Sequence, residues 1–229
     1  MMTKDNNKII IALDYSNKND VFSLCEKINP NECRLKIGKQ LFTKYGPEIV
    51  NQLQNKGFEI FLDLKFHDIP TTVYKACVEA YKLGIWMLNI HLLGGKPMID
   101  AAINAKNEVN PNAKLIGVTL LTSHSSEDLD YIGNEKRSDV VNKLSMIANE
   151  LGLDGIVCSP NDIKDIKSEY KNLDFVTPGI RLDKTSNDHS TTCTPEEAIN
   201  LGSTYLVIGR PITESKDPKL VIKQILSSI

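Results

Sequence analysis

Short apolar runs recur along the chain, each too short for a helix, each closed by polar residues, and each separated from the next by a segment of helical periodicity. Ile9 to Leu13 is the first run and ends at Asp14; Asn19 or Asp20 caps a helix carrying Val21, Leu24, Cys25 and Ile28. Arg34 to Gly38 is the second, followed by a helix over Leu41 to Lys56 that stops at Gly57. Phe58 begins the third, with a helix from Val73 to Leu83 after it. Trp86 to His91 is the fourth, with Gly94-Gly95 at its exit and a helix from about Met98. Leu115 to Leu121 is the fifth, with a helix from about Asp139 to Leu151. Gly155 to Cys158 is the sixth, and Ser159-Pro160 opens the next helix. Asp174 to Thr177 and Tyr205 to Ile208 are the seventh and eighth, and Pro218 opens the last helix.

Near-continuous Ile, Val and Leu in these runs predicts strands buried on both faces, the mark of a parallel sheet. Eight strand–helix units without a Pro/Gly-rich linker favour an α/β fold of the (β/α)8 TIM barrel type over an open doubly wound sheet. The expectation is one domain spanning residues 1–229. A hydrophobic content of 41% supplies its core, and a net charge of −2 provides no global field towards nucleic acid or an anionic membrane. An anionic ligand must then be held locally. The N-terminus offers too few apolar residues for a signal peptide or a span. Five scattered cysteines without a Cys-x-x-Cys pair read as reduced thiols of a cytoplasmic protein. The four histidines show no metal spacing.

The stretch from Phe58 to Thr72 organises the rest. On an extended strand Asp63 and Lys65 share a face with Phe61, while Ile60, Leu62, Leu64 and Phe66 take the other. Charges on a doubly buried strand belong at its end, where it opens into a cleft. Asp68 follows three residues later, and Pro70 ends the ladder and opens a helix. The plain alternative is an edge strand with a surface ion pair, worth little energetically.

Barrel active sites lie at the C-terminal ends of the strands. Asp14, Lys36, Asp63, Lys65, His91, Thr122, Ser123, Arg181 and Arg210 all fall at or just past a predicted strand end, and the opposite ends carry no comparable set. Gly209-Arg210 follows strand eight, where barrels frequently bind phosphate: glycine permits close approach and arginine supplies a bidentate cation. Leu182 to Cys193 is polar and aperiodic, and reads as either a functional lid or an ordinary surface loop.

Phe61-Leu-Asp-Leu-Lys-Phe-His-Asp-Ile-Pro-Thr72 resembles the signature of the orotidine 5′-phosphate decarboxylase family, which carries out the last step of UMP synthesis. Ala12-Leu-Asp14, Leu35-Lys-Ile-Gly38, Leu121-Thr-Ser123, Thr177-Pro-Gly-Ile-Arg181 and Ile208-Gly-Arg-Pro211 resemble its other strand ends, so the likeness spans almost the whole chain. The Asp-x-Lys-x-x-Asp core is shared with 3-keto-6-phosphogulonate decarboxylase; the Asp-Ile-Pro and Pro-Gly-Ile-Arg continuations narrow it. The resemblance implies a charged array of Lys36, Asp63, Lys65 and Asp68, with Asp68 contributed by the neighbouring subunit of a homodimer. It implies ribose contact by Asp14 and pyrimidine contact by Thr122 and Ser123. Arg181, Gly209 and Arg210 would hold the phosphate, and Thr72 and Pro178 would also line the substrate. Where the family's lid offers a glutamine after an aspartate, this chain has Asp188-His189, and His189 would donate to the phosphate instead.

The residues suit that chemistry. Loss of CO2 from C6 of orotate leaves a carbanion with no π-system to receive it, and no pyridoxal, thiamine or metal motif stands in the sequence, so no cofactor is expected. An ammonium between carboxylates favours its charged form, stabilises the carbanion and delivers a proton to C6. Three other readings stand beside this one. A 3-keto-6-phosphogulonate decarboxylase-like barrel would need Mg2+, and a ribulose-phosphate epimerase-like barrel would need metal-binding histidines. A non-catalytic nucleotide-phosphate regulator would have no use for two carboxylates facing an anion.

Overall fold

Strands β1 (Ile9–Ala12), β2 (Arg34–Gly38), β3 (Ile60–Phe66), β4 (Met87–His91), β5 (Lys114–Val118), β6 (Gly155–Val157), β7 (Asp174–Thr177) and β8 (Tyr205–Ile208) pair in chain order. All pairs are parallel, and β8 returns to β1 through Ile9↔Leu206 and Ile11↔Ile208, so the sheet closes into a barrel. The computed structural model describes residues 7–124, 128, 136–182 and 192–229. The helices among them are α1 (Lys18–Cys25), α2 (Lys39–Tyr45), α3 (Pro47–Gln54), α4 (Pro70–Lys82), α5 (Lys96–Val109), α6 (Arg137–Glu150), α7 (Pro160–Ile166), α8 (Pro195–Leu201), α9 (Arg210–Thr213) and α10 (Pro218–Ser228). The expected single-domain (β/α)8 architecture is what the chain adopts.

Closure gives each strand an inner and an outer face, and both are apolar. On β1, Ile9 and Ile11 join the outer core with Leu35, Leu62 and Leu88, packed against helix residues such as Val21, Val50, Val73 and Ala102. Ile10 and Ala12 turn inward to meet Phe61, Met87, Ile116, Val176 and Val207. This inner cluster fills the middle of the barrel, so the space left for a ligand lies above it.

The floor corrects one expectation, that the N-terminal ends of the strands carry no comparable polar set. Arg34 is 2% exposed, pairs with Glu59 at 2.8 Å, donates to the Asn7 carbonyl and stacks 4.0 Å from the Trp86 ring centroid. Lys114 meets Asp174 at 2.6 Å, and Lys106 meets Asp154 at 2.6 Å. These charges neutralise one another, Arg34–Glu59 between adjacent strands, Lys114–Asp174 across β6 and Lys106–Asp154 from helix α5, which is the condition for burying them. They differ from the upper set in being paired, and this was not visible from strand-flanking charges alone.

Some element boundaries also differ. The helix expected over Leu41 to Lys56 is two helices, because Pro47 has no N–H to continue the first and its ring clashes with a preceding carbonyl. Gly46 makes the turn with φ 63, and Pro47 opens α3. The cap of α1 is Asn17, whose side chain accepts the Asn19 N–H, in place of Asn19 or Asp20. Strand five ends at Val118, short of Leu121. Helix α8, which the apolar pattern left undelimited, begins with a capping box between Thr194 and Glu197.

Candidate active site

A cavity of about 370 Å³ opens at the C-terminal ends of the strands. Its floor is the inner core, and its first polar layer comes from inner-face residues one step further along β2, β3 and β4. On β2 Lys36 follows Arg34 up the inner face; on β3 Asp63 follows Phe61; on β4 Asn89 follows Met87. Lys36 and Asp63 are each 8% exposed. The Lys36 ammonium lies 3.1 Å from Asp63 Oδ2, and the Lys65 ammonium lies 2.5 Å from Oδ1. One carboxylate is thus clamped by two ammoniums. Burial alone would raise the Asp63 carboxyl, but the Lys36 and Lys65 charges, with hydrogen bonds from Lys65 and Asn89, hold it below its ordinary range.

The simple alternation expected along β3 does not persist to its end. Lys65 has φ 51, the one positive value at a non-glycine position among the described residues. Pairing with β4 jumps there from Leu62↔Leu88 to Phe66↔Ile90. A left-handed backbone at a lysine costs on the order of 1–3 kcal/mol and persists only where surroundings impose it. The Lys65 N–H is taken by Asn89 Oδ1 at 2.8 Å, and Asn89 Nδ2 donates to Asp63 Oδ1 at 2.6 Å. Asn89 was not among the residues singled out from the sequence. Its only signal was an amide in an otherwise apolar strand, two positions before His91.

The remaining expected residues divide into those that meet the cavity and those that do not. Asp14, at the exit of β1, has a largely exposed carboxylate 3.8 Å from the Lys36 ammonium. Thr122, Pro178, Arg181, Gly209 and Arg210 line the mouth, the last four from the ends of β7 and β8. A Cβ on Gly209 would come no nearer than 3.7 Å to protein atoms, so the space beside it is left to whatever enters the cavity. Ser123 is exposed and does not line it. Asp68 and Thr72 are also exposed and outside it. Asp68 accepts the N–H of its own neighbour Ile69 at 2.6 Å, beside exposed Ile69 and Leu93 in a separate shallow depression. So three of the four charged residues converge within one chain, and the fourth does not. His189 lies outside the described residues, as does most of the Leu182–Cys193 segment; its ends are joined where the Arg181 N–H donates to the Cys193 carbonyl at 3.0 Å.

Two further groups stand near these strand ends without lining the cavity. Arg137, at the start of α6, grips Asp162 through Nε and Nη2 at 3.1 and 3.0 Å and donates to the Leu121 carbonyl at 3.2 Å. Asp162 in turn caps α7 through the Ser159 N–H. This strut ties the loop bearing Thr122 to the barrel. His91, at the end of β4, is half-buried 5.5 Å from the His67 ring, and burial first, then His67, Lys65, Lys39 and His124, push its pKa down to about 4.

A family model described as "Orotidine 5'-phosphate decarboxylase / HUMPS family" matches residues 7–225. The chain is 46% identical over 227 residues to an orotidine 5′-phosphate decarboxylase of Nitrosospira multiformis, covering 97% of this chain and 93% of that protein. It is 45% identical to the one from Tolumonas auensis, covering 97% and 98%. In structure it is similar to the crystal structure of orotidine 5′-phosphate decarboxylase from Lactobacillus acidophilus, with a TM-score of 0.87 and 35% identity, covering 97% of this chain and 98% of that one.

Proposed function

The chain belongs to the orotidine 5′-phosphate decarboxylase / HUMPS family, and on that footing we propose that its barrel mouth converts orotidine 5′-phosphate to UMP and CO2 without a cofactor. The observation that carries this reading is the buried Lys36–Asp63–Lys65 cluster. Lys36 and Lys65 stand against Asp63 and the exposed Asp14, and Arg181 and Arg210 at the rim leave the cavity with an excess of positive charge. Such a site accepts a ligand that is anionic at both ends.

In this reading the phosphate is held by Arg181, Arg210 and the space beside Gly209, and Asp14 meets the ribose. Thr122 faces the pyrimidine with Pro178, and His189 donates to the phosphate. The C6–carboxylate bond breaks, its electron pair stays on C6, and CO2 leaves. The Lys65 ammonium stabilises that pair and transfers its proton to C6; solvent then reprotonates Lys65. Asp63 near the departing carboxylate disfavours the bound substrate, and remote phosphate binding supplies the compensating energy.

Asp68 enters from a second copy of the chain, with Thr72 on the same segment reaching the neighbour's ligand. The support is geometric: Asp68 stands outside its own cavity, beside an exposed apolar patch of Ile69, at 64% exposure, and Leu93, at 47%. A cytoplasmic setting suits the five cysteines, all buried and outside any disulfide, with burial pushing Cys25 up to about 11 and Cys77 to about 12.

The test is loss of orotidine 5′-phosphate absorbance on addition of purified protein in the presence of a chelator. Turnover undiminished by the chelator is expected. No turnover with metal or without it would contradict the reading, and turnover restored only by Mg2+ would favour 3-keto-6-phosphogulonate decarboxylase-like chemistry.

A further inference from the structure

We propose that Asn89 is a positioning residue of this site, holding the Asp63 carboxylate and the Lys65 backbone together in the arrangement the reaction needs. The inference rests on the functional reading above and extends it to a residue that touches no substrate atom in that scheme.

Asn89 is 1% exposed, in the inner face of β4. Its two polar atoms serve two different needs. The amide nitrogen donates to Asp63 Oδ1 at 2.6 Å, and the amide oxygen accepts the Lys65 N–H at 2.8 Å. The opposite amide orientation would set oxygen against carboxylate and N–H against N–H, so only one satisfies both partners.

The second bond answers a particular defect in the sheet. Between the flanking pairs, β3 advances from Leu62 to Phe66 while β4 advances only from Leu88 to Ile90. The extra residues on β3 bulge, Lys65 takes φ 51, and its N–H meets a side chain in place of a ladder carbonyl. The first bond fixes the plane of the carboxylate. Oδ1 receives both the Asn89 amide and the Lys65 ammonium, which leaves Oδ2 directed at Lys36, 3.1 Å away. A single short planar side chain with one donor and one acceptor therefore sets both where the Lys65 chain starts and where its ammonium ends. Aspartate keeps the shape and the acceptor but loses the donor; leucine keeps approximate volume and loses both.

The experiment compares wild type, Asn89→Leu and Asn89→Asp for thermal melting, UMP binding, and kcat and kcat/KM across pH. A displacement of about 1 Å in a reacting group is worth about 10²-fold in rate, so Asn89→Leu should lose roughly that in kcat while UMP affinity stays near wild type. Without the Asn89 donor, Asp63 protonates more easily, and the acid limb of kcat/KM should move to higher pH. In Asn89→Asp two adjacent carboxyls share a proton, so its rate relative to wild type should improve as pH falls. Should Asn89→Leu fail to fold, the near-isosteric Asn89→Asp carries the test through that ratio. Wild-type kcat with an unmoved acid limb overturns the assignment. So does a loss of rate matched by an equal loss of UMP binding with the acid limb in place, the signature of a purely structural asparagine. An inert wild-type protein would overturn the functional reading along with this one, whereas an active wild type with unaffected variants removes the role of Asn89 alone.

Discussion

Lys65 combines three features that seldom meet in one residue: a charged side chain inside a barrel mouth, a left-handed backbone, and a 2.5 Å contact to a buried carboxylate. If it supplies the proton to C6, a folded Lys65→Ala protein should lose at least about 10²–10⁴-fold in rate, the range for general acid–base groups. Near-wild-type turnover in that variant would remove the assignment. Arg210, exposed at the rim, has a different expected signature. Arg210→Ala should raise KM and lower kcat together, because phosphate binding is used to organise the distant reacting end. A change in melting temperature with unaltered kinetics would make it structural. For His91, burial and its cationic neighbours favour the neutral ring, with a pKa about 4 against 6.5 for the free side chain. Between those values the unfolded chain binds the extra proton, so stability should fall as pH drops from 6.5 towards about 4. His91→Gln should flatten that part of a melting-temperature–pH curve; an identical slope in the variant would contradict it. Lys36, Asp63 and Lys65 were legible in the sequence because charges are conspicuous in apolar strands. Asn89 was not, since an uncharged amide reveals its importance only through the two partners that the closed barrel brings to it.

At the scale of elements, strand spacing was legible because each strand is buried on both faces and so reads as an unbroken apolar run. Local breaks were harder. Gly46-Pro47 carried the chemical reason for ending α2, yet the apolar spacing continues across it and suggested one helix. The bulge in β3 had no sequence signature, because it occurs at lysine where glycine would be usual. The pairing of β6 with β7 makes a sharper demand on a glycine. A Cβ at Gly155 would lie 2.3 Å from the Asp174 carbonyl oxygen, so the two strands would have to separate. Gly155→Ala should destabilise the protein by about 1–3 kcal/mol in denaturant unfolding, as overpacking usually does. An unchanged midpoint would mean that the strands yield without cost.

In the whole molecule, two charged layers bracket an apolar core. The lower layer, with Arg34–Glu59 and Lys114–Asp174, is internally paired and closes the floor. The upper layer has an excess of positive charge, and the further carboxylate of the charged array, Asp68, lies outside its own cavity. The proposed completion is a homodimer in which each mouth takes Lys36, Asp63 and Lys65 from one chain and Asp68 from its partner. The sequence placed Asp68 within three residues of Lys65, but nearness along the chain does not say whose site it serves. Lys65→Ala and Asp68→Ala should each be inactive alone. When equal amounts are mixed and subunits exchange at random, half the dimers are mixed, and in each of these one site carries both lesions while the other carries neither. Decarboxylation of orotidine 5′-phosphate should then recover to about a quarter of the wild-type rate on a symmetric-dimer model. No recovery, once exchange has been verified independently, would place Asp68 in its own subunit's site and contradict a site shared between two chains.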